Sequence, residues 1–153
     1  MKYEPKGVGE IILENIILDL NGTLAVKGKI VLGAKERLNK LKRLGFQIYL
    51  FSGDQRGNAA SLAKELGIKF VKGKSSQEKE ELTRKLDTKK TVAIGNARID
   101  IGTFKPCKLR IGTLQPEGIH TGILKHIDIL VPSINDALDL LLDPHSLNST
   151  LKK

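Results

Sequence analysis

Aromatic side chains make up only 4% of the 153 residues, so the core must be built from aliphatic groups. Isoleucine, leucine and valine fill the apolar runs, which favours buried strands and leucine-rich helices. A single cysteine, Cys107, excludes an internal disulfide and has no Cys or His neighbour at metal-ligand spacing. A buried or half-buried thiol in a reducing compartment is the expectation. No apolar run approaches the length needed to span a bilayer. The start, Met1-Lys2-Tyr3-Glu4-Pro5, lacks the apolar centre of a signal peptide. These absences point to the cytoplasm and to no membrane partner.

What is present fits a globular chain: 40% hydrophobic and 28% charged residues. The length suffices for one domain with a proper core, spanning 1–153, and is too short for two ordinary ones. The formal net charge of +9 attracts phosphates, nucleic acids and acidic surfaces. The lysines are scattered along helices, with no arginine-rich tract and no aromatic stacking motif. A solvated lysine-rich surface is therefore favoured over a nucleic-acid footprint, which stays as the lesser reading.

Short apolar runs alternate with amphipathic stretches, without repeat or linker. Ile11 to Leu20 reads as a buried strand interrupted by Glu14 and Asn15. Leu38, Leu41 and Leu44 mark one face of a helix from Ala34, closed by Gly45. Phe46 to Phe51 is a second strand, Asn58 to Leu66 a second helix, Ile68 to Val71 a third strand. Ser75 and Glu78 form a capping box for a third helix running to Leu86. Strands follow at Thr91 to Ile94, Lys108 to Thr113 and Ile127 to Val131, with a closing helix from Ile134 to Leu142 before Asp143-Pro144. Lys2 to Glu4 is a candidate edge strand. Such alternation predicts an α/β fold with a mostly parallel sheet covered by helices on both faces.

In such sheets ligands bind beyond the carboxyl ends of the strands. Asp19-Leu20-Asn21-Gly22-Thr23-Leu24 follows the first strand, Ser52-Gly53-Asp54 the second and Gly95-Asn96-Ala97-Arg98-Ile99-Asp100 the fourth. The helix opening near Ser75 brings Lys79 to the same edge. This set suits phosphoryl transfer. A carboxylate can attack phosphorus, Mg²⁺ neutralises charge with few protein ligands, a lysine adds a point charge, and hydroxyl and turn N–H groups hold the remaining oxygens. Gly22 and Gly53 allow the backbone a close approach. Each residue also has a plainer reading: Asp19 a turn residue, Ser52-Gly53-Asp54 a loop, Lys79 a surface charge among Glu78, Glu80 and Glu81, and Asp100 a helix cap. Gly73-Lys74-Ser75 resembles the end of a phosphate-binding loop, but Ile68 stands where the first glycine belongs, so it reads as a turn and helix start. Arg98 either touches a substrate anion or is simply exposed.

Asp19 to Leu24 resembles the first motif of the haloacid-dehalogenase superfamily, D-x-D-G-T-L. Phe51-Ser52-Gly53-Asp54 is similar to its second motif, Lys79 to its third-motif lysine, and Gly95-Asn96 with Asp100 to its acidic fourth motif. Asn21 and Ala25, with Asp136-Ala137-Leu138-Asp139-Leu140-Leu141-Leu142, resemble the soluble P-type ATPase-like group within it. The resemblance implies a Rossmann-like three-layer sandwich with sheet order 3-2-1-4-5 plus edge additions, a short β-hairpin flap and no cap domain. It implies a Mg²⁺-dependent phosphohydrolase or phosphotransferase working through an aspartyl phosphate. Asp19 would be nucleophile and metal ligand, the Asn21 carbonyl a second ligand, and Asn96 and Asp100 the rest of the metal site. Gly22, Thr23, Ser52, Gly53 and Lys79 would hold the phosphate.

Two departures matter. Asn21 stands where phosphatases carry a general acid/base, and an amide cannot carry a proton through the reaction, which implies slow turnover. Asn96, Ala97 and Ile99 alter the fourth motif and weaken metal binding. A non-catalytic phosphate-binding or protein-interaction module is therefore the alternative. The flap, Ala25 to Ile30 with its turn at Lys27-Gly28, leaves no room for a cap. The site is then open to a large, even macromolecular, phosphorylated substrate, or is closed by a second copy in a homo-oligomer.

Overall fold

Ile16 and Leu18 face one buried layer and Ile17, between them, faces the other. This period-two alternation with both faces apolar makes Asn15–Asp19 a central strand, covered above and below. A computed structural model describes residues 1–153. In chain order the elements are β1 (Lys2–Tyr3), β2 (Ile11–Ile12), β3 (Asn15–Asp19), β4 (Ala25–Val26), β5 (Lys29–Ile30), α1 (Ala34–Arg43), β6 (Gln47–Ser52), α2 (Ala59–Leu66), β7 (Lys69–Lys72) and α3 (Ser76–Thr83). They continue with β8 (Thr91–Gly95), α4 (Ile101–Phe104), β9 (Leu109–Thr113), β10 (Ile129–Val131), α5 (Ile134–Leu142) and α6 (Pro144–Leu151).

Six strands form one parallel sheet in the order β10-β9-β8-β3-β6-β7. Numbered among themselves this is 3-2-1-4-5 with a sixth strand added at the edge, as the family resemblance implied. The order reverses between β3 and β8, so the crevice at their carboxyl ends is where ligands collect in such sheets. The larger core holds Leu38, Leu41, Ala63, Leu66 and Leu138 from α1, α2 and α5. The opposite layer is thinner, with Ile17, Phe51, Ala93, Phe104, Cys107 and Ile123, and Leu82 of α3 packs against it. Burial pushes the Cys107 thiol up to about 12, so it is inert as a nucleophile. The hairpin β4–β5 forms with Ala25 opposite Ile30 and turns through Lys27 and Gly28, both at positive φ. No helix is long and apolar enough to cross a membrane.

Three expectations are corrected. The long first strand breaks after Ile12, where the Leu13 N–H donates to the Met1 carbonyl and the Glu14 N–H to the Lys90 carbonyl. Lys2–Tyr3 pairs antiparallel with Ile11–Ile12 in a separate ribbon, not with the main sheet. Fully buried Tyr3 fixes that ribbon by donating to the Leu141 carbonyl at 2.7 Å. The helix at Leu142 is not the last. Asp143 Oδ1 accepts from the N–H groups of His145 and Ser146 and so caps α6, with Pro144 at its first turn. A proline that stops one helix is equally suited to open the next.

Candidate active site

Lys79 sets the geometry. It lies one turn into α3, whose start is fixed because Ser75 Oγ accepts from the Glu78 N–H at 3.1 Å. Glu78 reaches one residue beyond the expected capping box, accepting from the Lys74 N–H at 2.7 Å. Helix α3 packs on α4, and at Gly102 a Cβ would collide with the Ser76 carbonyl. This close approach drives Lys79 inward until its side chain is wholly buried. An ammonium in that position needs paired acceptors. It finds two: Nζ donates to Asp19 Oδ1 at 3.1 Å and to Asp100 Oδ1 at 2.8 Å.

Asp100 is 2% exposed and Asp19 9%, so Asp19 is the member that reaches solvent. Asp100 Oδ2 accepts from the N–H groups of Asn96 and Ala97 at 3.0 and 2.9 Å, tying down the turn after β8. Its carboxyl lies over Gly95, where a Cβ would stand 2.5 Å from Oδ2. Burial pushes the Asp19 carboxyl up to about 7. The Asp100 charge adds to the rise; Lys79 and the Leu20 N–H oppose it. For Lys79, burial favours loss of the proton, but the charges and hydrogen bonds of Asp100 and Asp19 outweigh it and hold the ammonium above its usual range. For Asp19 burial outweighs the nearby cation, whereas for Lys79 the two carboxylates outweigh burial.

Asp19, Asn21, Ser52 and Gly53 line a 370 Å³ cavity, with Gln55, Lys74, Ala97 and Ile99 completing its wall. The strand ends thus bring the first and second sequence segments into one cavity, while Lys79 and Asp100 lie beneath it. Ser52 Oγ accepts from the Asp54 N–H at 3.0 Å, which leaves its own proton free to donate. Asp54, at positive φ, caps α2 through Ala59 and takes no part in the cavity wall. Gly22 is demanded by the fold: it has φ +79 and a Cβ there would collide with the Asn96 amide. At Gly53 a Cβ would stand 3.6 Å from the Gly73 carbonyl, an ordinary contact, so the fold does not require glycine there.

Thr23 and Asn96 meet each other across the fold. Thr23 is fully buried and its hydroxyl donates to Asn96 Oδ1 at 3.2 Å. Asn96 Nδ2 donates to the Gly118 carbonyl at 2.9 Å. Both side chains brace the Asn21–Thr23 turn against the loop after β9, and neither lines the cavity. Arg98 is exposed and also off the wall. Gln115 was not singled out by sequence. Its Nε2 donates to the carbonyls of Gly22 and Thr23 at 3.0 and 2.6 Å, and its Oε1 accepts from the Ile134 N–H at 3.3 Å. Nothing in Leu114-Gln115-Pro116 marks a buried amide. A second hollow, of 430 Å³ between β10 and α5, offers no comparable chemistry: Asp139 pairs with Arg37, while Asp136 and Asp143 accept from Ser133 and Ser146.

The family of haloacid dehalogenase-like hydrolases matches residues 3–107, which include Asp19, Ser52, Lys79 and Asp100. The chain belongs to this family. Among relatives of the haloacid dehalogenase-like chain is a soluble P-type ATPase-like phosphatase of Methanocaldococcus jannaschii, 27% identical over 146 residues. The match covers 91% of this chain and 54% of that protein, so the chain spans about half the relative's length. The fold is shared with cobalt-bound deoxy-D-mannose-octulosonate 8-phosphate phosphatase of Haemophilus influenzae: TM-score 0.72, 15% identity, 92% of this chain and 94% of that one. It is shared as well with 3-deoxy-D-manno-octulosonate 8-phosphate phosphatase of Moraxella catarrhalis in complex with magnesium, phosphate and the sugar acid: TM-score 0.71, 17% identity, 86% and 87% coverage.

Proposed function

We propose that this protein is a phosphohydrolase in which Asp19 attacks phosphorus. The observation that carries the reading is the buried Asp19–Lys79–Asp100 trio, whose Asp19 lines the cavity. Lys79 and Asp100 hold Asp19 at the cavity floor. Attack by Asp19 forms an O–P bond as the bond from phosphorus to the leaving oxygen breaks. The departing alkoxide takes its proton from solvent, because Asn21 has none to give. Water then attacks the phosphorus of the aspartyl phosphate, restoring the carboxylate and releasing phosphate. Ser52, its proton uncommitted, donates to a phosphoryl oxygen. The Thr23 hydroxyl acts indirectly, by holding the turn that carries Asn21.

The donor set fits Mg²⁺. Two carboxylates against one lysine leave a net negative charge of hard oxygens, and no third acid, cysteine or histidine gathers with them. That suits a cation which keeps several waters and takes few protein ligands. Asp19, the Asn21 carbonyl and Asp100 would hold it, and bound there it would offset charge on the phosphoryl oxygens. The magnesium-bound phosphatase of the same fold supports this assignment. The cavity volume favours a small phosphorylated molecule, in line with the phosphatases that share the fold. Turnover is slow because leaving-group expulsion lacks acid catalysis.

Aryl-phosphate hydrolysis with Mg²⁺, compared between native protein and Asp19→Asn, tests the reading. Native activity is expected, with loss in the variant; equal background from both would reject catalysis.

A further inference from the structure

We propose that Lys74 and Gln55 form a second anion-binding subsite, so that the substrate is a phosphomonoester whose leaving group carries its own carboxylate or phosphate. The inference rests on the reading of Asp19 as nucleophile at the floor of the same cavity. A volume of 370 Å³ exceeds what a phosphoryl group fills, and roughly 300 Å³ upward accommodates a whole small ligand. The chemistry of the remaining wall therefore describes the rest of the substrate.

Only two charged side chains line that wall, Asp19 and Lys74. Lys79 is unavailable to the leaving group, because it is buried and committed to Asp19 and Asp100. Lys74 is exposed and takes part in no ion pair, although Glu78 lies close by; that carboxylate instead accepts from the Lys74 main-chain N–H. The root of Lys74 is fixed. The Gly73 N–H donates to the Ser52 carbonyl at 3.0 Å, and the Lys74 Cα lies 3.6 Å from where a Cβ on Gly53 would stand. An anchored backbone in the cavity lining that carries an uncommitted ammonium is a point-charge donor for an anion. Gln55 adds an amide side chain to the lining, and Ala97 and Ile99 add aliphatic groups against which a short carbon skeleton can lie.

The test compares glycerol 1-phosphate, 3-phosphoglycerate, which adds a carboxylate, and propane-1,3-diol bisphosphate, which adds a phosphate. The ratio of kcat/KM for each doubly anionic ester to that for glycerol 1-phosphate is read in the native protein, Lys74→Ala, Lys74→Arg and, as a charge control, Lys105→Ala. At least one ratio is expected to favour the second anion about ten-fold in the native protein, as for a charge-assisted hydrogen bond. It should collapse towards one in Lys74→Ala and persist in Lys74→Arg and Lys105→Ala. Ratios of one or less in the native protein, or a preference that survives Lys74→Ala, would overturn the subsite. If no ester is turned over faster than by Asp19→Asn, the nucleophile reading fails separately. Calorimetric binding of the same three esters to Asp19→Asn, with and without Lys74→Ala, then decides on the subsite, and equal affinities reject it.

Discussion

Lys79 Nζ lies 3.1 Å from Asp19 Oδ1 while also donating to Asp100 at 2.8 Å, so one buried ammonium joins the end of β3 to the turn after β8. Removing it leaves two buried carboxylates with no cation. Lys79→Met should destabilise the fold by about 3–5 kcal/mol, the cost typical of breaking a buried pair from one side. Denaturant titration measures this, and adding Asp19→Asn to the same variant should recover part of the loss. An unchanged midpoint in Lys79→Met would mean the acids are better solvated than their burial implies.

The raised pKa of Asp19 ties stability to pH. Folding lifts this group from its ordinary 3.8 to about 7, so the folded state holds the proton more tightly. Its contribution is fully present below 3.8 and is lost as pH rises through 7. Asp19→Asn, which keeps the Lys79–Asp100 pair, should therefore be more stable than the native protein at pH 8, by about 1–2 kcal/mol, and the gain should shrink towards pH 4. Melting curves of both proteins across that range, without divalent cations, give the comparison. A gain independent of pH would assign the effect to something other than this carboxyl.

Asn21 lines the cavity beside Asp19 and bears no titratable proton. Asn21→Asp supplies an acid for the leaving group and a base for the hydrolytic water. Turnover of an alkyl phosphate should rise by up to about 10²-fold, the lower range of general acid–base catalysis. A slower variant would show that the amide has a positioning role that a carboxylate cannot fill.

Gln115 holds the Gly22 and Thr23 carbonyls from behind and links them to the start of α5. Gln115→Ala strands these buried acceptors, at an expected cost of about 1–3 kcal/mol. Gln115→Glu should be worse, since an ionised carboxylate donates to neither carbonyl and turns a negative charge towards both. Melting temperature and kcat/KM should fall together; activity unchanged in both variants would separate the turn from catalysis.

The sequence displayed what depends on short spacing. Strand ends followed by Asp19, Ser52 and Asn96, and the helix opened by Ser75, carried enough local signal to give the strand–helix alternation and to bring Asp19, Lys79 and Asp100 to one edge, while the sheet order came from the family resemblance. Contacts made across long sequence separations were not legible in the sequence. Thr23 and Asn96 hydrogen-bond each other over 73 residues and brace a turn, a contact that no local spacing announces. Gln115 works across more than 90 residues, and nothing local distinguishes a buried amide from a loop amide. The extra helix α6 was missed because Asp143-Pro144 reads equally as an end and as a beginning.

Beryllium fluoride, a mimic of an aspartyl phosphate, tests the role of Asp19 most directly when added with Mg²⁺ and followed by melting temperature. Binding to the folded state alone raises stability in proportion to the logarithm of ligand over Kd. Native protein should gain several degrees with both additives together, while Asp19→Asn should gain nothing. Equal stabilisation of the two proteins, or none in the native one, would contradict Asp19 as the residue that carries phosphate.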